Sequence, residues 1–427
     1  MSAVLGFSLP LLIGVPIVFV LGIMGLWYVW DSGLPTLLVP QRLFVGLNSF
    51  LILGVPLFIL TGNIMNAMGA TDRIVAFANL VVGRFRGGLA YVALVAIILF
   101  SAVVGAGAAA ASAVGATLIP AMKRAGHSAE QAASLVAAGA TIGPIIPPSI
   151  AMIVYGAIAN VSIAALFVGG IIPGLLFGLA LALVVRFKAR MESRPEPGEG
   201  PGAREVLRIF AGALPGLAMP VIVLGGMLAG IFTPTEAAGV SVAYALIVGF
   251  GLYRTLTLGM PRRILKETAV MAGGVMLVVA TASLFSWILA AERIPQQAAT
   301  LFAEMDARPI LLLIVINLLL LLVGCIIETL AAIIVLTPVL LPIVTAAGID
   351  PLHFGIIMVV NLSIGLATPP VGVNLFVSAA VAQMSLLAVA RQILPYLGAL
   401  LAILLLLMLV PDLSLMLPRL LGSHAGP

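Results

Sequence analysis

The stretch "ATIGPIIPPSIAM", residues 140–152, sets a Gly-Pro pair and two adjacent prolines inside a chain that is 63% apolar. Each proline removes a backbone donor and restricts the residue before it, so no continuous helix runs through this segment. A near-copy, "LSIGLATPPVGVN", occupies residues 362–374. Gly143 aligns with Gly365 at an offset of 222. The same offset pairs Thr141 with Ser363, Pro120 with Pro342, Gly126 with Gly348, Pro147-Pro148 with Pro369-Pro370 and Pro173 with Pro395. A shared order of turn-forming residues over this distance marks an internal repeat. Repeats that each carry a broken helix are a common ground plan of secondary transporters.

Composition agrees with that class. Only 8% of residues are charged and the mean hydropathy is +1.28. A bilayer core takes roughly 20 apolar residues per helical span, and the chain supplies about ten such segments or broken pairs. The expected fold is therefore an all-α polytopic membrane protein with no independent soluble domain. A net charge of +5 does not argue for nucleic acid, because membrane proteins use basic loop residues to set topology. The single cysteine, Cys325, excludes a disulfide framework and a cysteine-based metal site. His127, His353 and His424 fall in apparent loops without ligand-like spacing. The opening "MSAVLGFSLPLLIGVPIVFVLGIMGLWYVW" lacks a basic n-region, so it reads as a retained membrane segment rather than a signal peptide. Residues 2–12 are too short to span alone.

The most polar stretch, "RFKARMESRPEPGEGPGAREVLR" at 186–208, reads as a linker outside the bilayer. It divides the chain into a first repeat, 1–185, and a second, 209–427. Each contains scaffold spans, a re-entrant hairpin (89–121 and 308–342) and a broken span (130–160 and 351–383). Further spans are expected at 14–30, 47–66, 163–185, 211–232, 237–253, 269–290 and 388–417. Arg84, Arg86, Lys123 and Arg124 flank the first hairpin and place both its ends in the cytoplasm. The centre of that hairpin, rich in Gly, Ala and Ser, looks too flexible for a plain helix. The second hairpin is flanked mainly by acids and enters from outside, so the repeats are inverted. "GATDRIVAFANLVVGRFRG" and "RIPQQAATLFAEMDARP" precede the two hairpins as amphipathic arms along the membrane surface.

Irregular backbone at membrane depth survives only where protein or a wet cavity satisfies its polar groups. In "GLATPPVG", Thr368 suits an N-cap and Pro369 the first position of a new half-helix. Carbonyls from Ser363 to Ala367 then end the preceding half-helix and suit a hard cation such as sodium. The fresh N-terminus suits a carboxylate. The same logic covers Thr141 to Ser149, giving two cation sites with an anion site between them. Ser112, Thr117, Ser149 and Asn374 are candidate ligand contacts, although each alone better suits a helix-packing hydroxyl or amide. Glu328, an acid inside a membrane segment, is a functional candidate by position, and a protonated or hydrogen-bonded structural role suits it equally.

The motifs "GPIIPPS", "GLATPPVGVNLF", "GATLIPAMKRAG" and, above all, "GGMLAGIFTPTEAAGVSVAYAL" at 225–246 are distributed over nearly the whole chain. Through them the protein resembles the large membrane subunit of tripartite ATP-independent periplasmic (TRAP) transporters. The resemblance implies a sodium-coupled, elevator-type symporter of the bacterial inner membrane. It would work with a small four-helix membrane subunit and a periplasmic binding protein that delivers a carboxylate substrate. Carried over by motif, one cation site lies between Gly105, Gly107 and Ser112 at the first hairpin tip and Thr141, Gly143 and Pro147 at the first break. The other lies between Gly324 and Thr329 at the second tip and Ser363, Gly365 and Thr368 at the second break. Ser149, Glu328, Pro369, Pro370 and Asn374 are the substrate-binding set, and sodium is the coupling ion with no other cofactor. The first tip, "GAGAAAASAVG", has fewer hydroxyl residues than its relatives often carry, which leaves more of the ligation to backbone. Glu236, in "TPTE", reads as a capping or inter-helix residue. A stand-alone sodium–carboxylate symporter of related fold is the nearest alternative. A channel is opposed by the occluding hairpins, and an intramembrane hydrolase by the lack of a nucleophile–base set. No nucleotide-binding loop is found.

Overall fold

Apolar runs punctuated by Gly and Pro fold here into helices that stop at those residues. The computed structural model describes residues 10, 14–85, 87–189, 202–257, 259–294, 296–297, 300 and 309–423, and all regular structure among them is helical. The helices are α1 (Ile17–Asp31), α2 (Leu38–Leu47), α3 (Gly54–Ala67), α4 (Ala70–Val82), α5 (Gly88–Val104), α6 (Gly107–Arg124), α7 (Ala129–Ala140), α8 (Ile150–Ala159) and α9 (Ile163–Ala189). Then come α10 (Ala203–Leu228), α11 (Pro234–Ile247, continued by a π turn), α12 (Met260–Ala291), α13 (Pro309–Gly324), α14 (Thr329–Ala346), α15 (Pro351–Gly365), α16 (Val373–Ala382), α17 (Leu386–Leu409) and α18 (Asp412–Leu420).

The offset of 222 reappears in the element bounds. α6 maps onto α14 end to end, and α5, α7, α8 and α9 map onto α13, α15, α16 and α17 within a few residues. Pro120 and Pro342 lie inside the paired helices α6 and α14, and Pro173 and Pro395 inside α9 and α17. Gly126 and Gly348 both take positive φ after the paired helices, a conformation that glycine adopts without a side-chain clash.

Six helices, α9, α10, α11 with its π turn, α12, α14 and α17, are long and apolar enough to cross a bilayer. α8 and α16 have ten residues each. At 1.5 Å per residue they reach about 15 Å, half of a hydrocarbon core. Neither therefore crosses a bilayer by itself, and each follows its partner, α7 or α15, across a break.

Two groups of helices carry these segments. α12 packs on α1, α2 and α3, and α11 on α3 and α10. Thr61 and Ser241 hydroxyls meet at 2.7 Å between α3 and α11, and Asn63 Nδ2 donates to Thr268 Oγ1 at 2.9 Å between α3 and α12. Thr233 and Glu236 close a reciprocal capping box at the start of α11, with Thr233 N–H to Glu236 at 2.8 Å and Glu236 N–H to Thr233 at 3.3 Å. Glu236 is thus a cap. In the other group α16 packs on α6 and α7, α14 on α8 and α15, and α17 on α7 and α9. Elements of the two repeats interleave, so neither half encloses a core of its own.

Several expectations need correction. The span expected at 47–66 is helical only from Gly54, as α3, while α2 ends at Leu47 and 48–53 separates the two. Pro56, without an N–H, is tolerated only because α3 restarts at Gly54 and leaves it in the first turn. Pro411 likewise ends the last span, and α18 is a separate helix. The small-residue run after Gly107 is regular helix rather than a loose turn. Alanine is the strongest helix former, and its small side chain permits the close packing of α6 on α7 and α16. His353 lies within α15, is 2% exposed and shares a hydrogen bond of 2.6 Å with Ser414, so it is no loop residue. α4 forms the first arm and packs on α5 and α10. Most of the second arm, residues 2–9 and 11–12, His424 and the linker segment 190–201 lie outside the described residues.

Candidate functional site

The hairpin tips sit on the breaks of their own repeats. At the first, a Cβ built on Gly143 would lie 2.7 Å from Gly107 N, 2.8 Å from Gly107 Cα and 2.9 Å from Ala106 C. A Cβ on Gly105 would collide with Pro148 O, and Gly105 itself has φ 69°. At the second, a Cβ on Gly365 would lie 2.5 Å from Gly324 C and 2.7 Å from its carbonyl oxygen. Gly372 N–H donates to Cys325 O at 3.3 Å across the same junction. Glycine is required at these positions because backbone meets backbone. Pro147–Pro148 and Pro369–Pro370 are both cis.

Between the junctions lies a small cavity of about 80 Å³ where all four broken elements meet. Gly105, Ala106, Gly107 and Ala108 come from the first tip, Pro144 and Ile150 from the first break, Glu328 and Thr329 from the second tip, and Leu366 and Val373 from the second break. A larger cavity of about 450 Å³ continues from it toward α3 and α12, sharing Ala106, Ala108, Ile150, Glu328 and Leu330.

The two tips are chemically unequal. Glu328 caps α14, its Oε2 accepting from Leu330 N at 2.9 Å and Ala331 N at 3.4 Å. The position equivalent to it by the 222 offset is Ala106, which gives α6 no side-chain cap. The start of α6, where Ala106, Gly107 and Ala108 line the cavity, therefore gives its first N–H groups no side-chain acceptor. Asn374, 0% exposed, lies against the same turn, its amide atoms 3.0 and 3.2 Å from where a Gly107 Cβ would be. Both of those amide atoms lack a hydrogen-bond partner, as does the buried Thr329 hydroxyl. Buried polar atoms are rarely left unpaired without a functional reason.

The remaining candidates are placed less evenly. Thr141, Ser363 and Thr368 return their hydroxyls to Ala138, Val359 and Ile364 carbonyls at 2.7, 2.6 and 2.8 Å. Thr368 is therefore not an N-cap, and α16 starts only at Val373 behind Gly372. Pro369 cannot open that helix because Pro370 behind it disfavours the α conformation. In the first repeat a hydroxyl does cap the half-helix, but it is Ser149, behind Pro147 and Pro148 rather than ahead of them, accepting from Met152 N at 3.2 Å and donating to Pro144 O. The carbonyls of Ile364, Gly365 and Leu366, expected to be free, accept from Ala367 N, Thr368 N and Asn374 N at 3.0, 3.0 and 2.8 Å. Gly365 O retains a second lone pair, whereas Ile364 O also accepts the Thr368 hydroxyl and Leu366 O a longer contact from Leu375 N at 3.4 Å. Pro147 is buried at the first break, whereas Pro369 is partly exposed and Pro370 exposed at the second. Ser112 is exposed on α6 and lines neither cavity.

An amide pair went unread in the sequence. Asn361 Nδ2 donates to Asn317 O at 2.8 Å and to its Oδ1 at 2.7 Å, one turn before Gly365, and Asn361 Oδ1 is buried without a partner. The available signal was an asparagine in each of two otherwise apolar segments, which membrane helices use as interhelical contacts.

Interlocked half-helices and paired tips around a shared cavity define a polytopic membrane transporter. Solved structures share this fold at low identity. The Alcanivorax borkumensis YdaH transporter superposes with TM-score 0.59, 16% identity and coverage of 90% of this chain and 89% of that one. Neisseria gonorrhoeae MtrF superposes with TM-score 0.59, 14% identity and coverage of 87% and 83%. Residues 4–413 match the family described as tripartite ATP-independent periplasmic transporter, DctM component, and the chain belongs to that family. It is 41% identical to the C4-dicarboxylate TRAP transporter large permease protein of Pseudomonas aeruginosa, over 89% of each chain. It is 40% identical to the sialic acid TRAP transporter large permease protein of Vibrio cholerae, over 89% of each, and 36% to the 2,3-diketo-L-gulonate large permease protein of Escherichia coli, over 95% of each. The protein is a TRAP large permease subunit for solute uptake, a multi-pass component of the inner membrane and not an enzyme.

Proposed function

We propose that the chain is the sodium-coupled permease of a carboxylate importer, fed by a periplasmic binding protein and completed by a small four-helix membrane subunit. In this reading residues 1–185 and 209–427 are inverted repeats joined by the 186–208 linker, and the tips of two re-entrant hairpins clamp solute and sodium. One cation sits among Gly105, Gly107, Thr141, Gly143 and Pro147, the other among Gly324, Thr329, Ser363, Gly365 and Thr368. Backbone carbonyl oxygens at the two tip-on-break junctions are suitable hard ligands. Sodium at these positions draws tip and break together and offsets the charge of the substrate carboxylate between them. The helices around the cavities then travel as an elevator against α3, α11 and α12.

The observation that carries the reading is the uncapped start of α6 beside the unpartnered amide of Asn374, at the meeting point of both junctions. Catching an anion there completes donors that otherwise stay unpaired. The test is reconstitution in proteoliposomes with candidate companion subunits, following carboxylate uptake under an imposed sodium gradient. Sodium-driven uptake that requires both companions is expected. Uptake by this chain alone identifies a stand-alone symporter, and uptake indifferent to sodium rejects the cation sites.

A further inference from the structure

The walls of the larger cavity differ sharply from its floor. On the α12 side they are Val270, Met271, Gly274, Val275 and Val278, joined from α3 by Ile59, and among the described residues the scaffold's sole polar contribution is Asn63. Among the described residues, no Lys or Arg lines either cavity. Asn63 already donates to Thr268. At the floor the start of α6, uncapped and backed by the unpartnered Asn374 amide, is one seat for an anion. The start of α14, its counterpart in the repeat, is filled by Glu328.

We infer that the substrate is a monocarboxylate with a predominantly apolar body, held by its carboxylate at the start of α6 and by its chain against α12. This rests on the carboxylate-importer reading above. A cavity of about 450 Å³ lies within the usual range for small-molecule sites, roughly 300–1,000 Å³. A dicarboxylate would bring its second charge either to Glu328, a like charge, or to the apolar α12 wall, and both positions are strongly unfavourable. A polyhydroxy acid would strand hydroxyl groups against the same wall, each weakening binding by about tenfold. An apolar chain instead removes hydrocarbon from water on both sides of the contact.

Gly274 offers a clean probe, since it lines the cavity and a Cβ built there meets nothing within 4 Å. The experiment is equilibrium binding of radiolabelled hexanoate, succinate and gluconate, in sodium, to the permease assembled with its companion membrane subunit in nanodiscs. Hexanoate should bind at least about tenfold more tightly than the other two. Gly274→Ala and Gly274→Leu should weaken hexanoate binding progressively, with the thermal midpoint of each variant confirming an intact fold. Glu328→Gln should narrow the gap between hexanoate and succinate by removing the like charge. Succinate or gluconate binding as tightly as hexanoate, or full hexanoate affinity in a folded Gly274→Leu variant, overturns the inference and leaves the carboxylate reading standing. Sodium-dependent binding of none of the three overturns both.

Discussion

Alanine at Gly365 would place a methyl group 2.5, 2.6 and 2.7 Å from the C, Cα and O of Gly324. Ordinary carbon contacts begin near 3.5 Å, so the second tip must move by about 1 Å from its break. No flexible side chain is available to yield, because every crowded atom is backbone. Overpacking of this kind costs about 1–3 kcal/mol. If the junction holds a cation, that cost weakens apparent sodium affinity by about five- to 150-fold. Gly143→Ala produces the equivalent crowding at the first junction, against Gly107 N and Cα at 2.7 and 2.8 Å. The control is Gly398→Ala in α17, whose Cβ meets nothing within 4 Å. There the change stabilises the helix by about 0.5–1 kcal/mol, since glycine loses more freedom on folding. The assay is the sodium concentration for half-maximal uptake in proteoliposomes, with the thermal midpoint of each purified variant as a check on folding. A folded Gly365→Ala variant with unchanged sodium dependence would refute the placement of a cation at that junction.

Three further outcomes are expected. Asn374→Leu removes two buried, unpartnered amide atoms, so it should leave thermal stability equal or higher while reducing uptake at least about tenfold. Loss of stability together with activity would show instead that the amide is a structural element. Thr233→Ala opens the capping box of α11 and should cost about 1 kcal/mol in unfolding free energy, with sodium dependence unaltered because the box lies on the scaffold. Tyr155→Phe deletes the 2.7 Å bond from the phenol to Pro351 O between the two broken spans and should lower stability by about 1 kcal/mol. A larger effect on transport than on stability would place that bond in the moving part.

Much of the junction geometry was legible because its parts are backbone. Gly143 and Gly365 carry no side chain, and their value to the fold is the absence of one, a property written directly in the residue type. Thr368 and Ser112 were misread for the opposite reason. A hydroxyl can cap a helix, return its proton to the preceding turn or face outward, and the choice depends on where neighbouring backbone lies. Ser149, which follows its double proline, took the first role, and Thr368, which precedes its own, the second. The Asn317–Asn361 pair joins positions 44 residues apart, beyond the reach of any local pattern.

Composition, the 222-residue offset and the prolines by themselves determined an all-helical membrane protein with two symmetry-related breaks, because hydrocarbon tolerates unpaired backbone only in special places. Tertiary packing decided what the breaks meet. It brought Asn374 of the second repeat against Gly107 of the first, left the start of α6 open while Glu328 closed the start of α14, and turned an apolar face of α12 toward both. Those contacts join residues far apart in the chain, and the identity of one residue carries no information about which distant partner will arrive beside it.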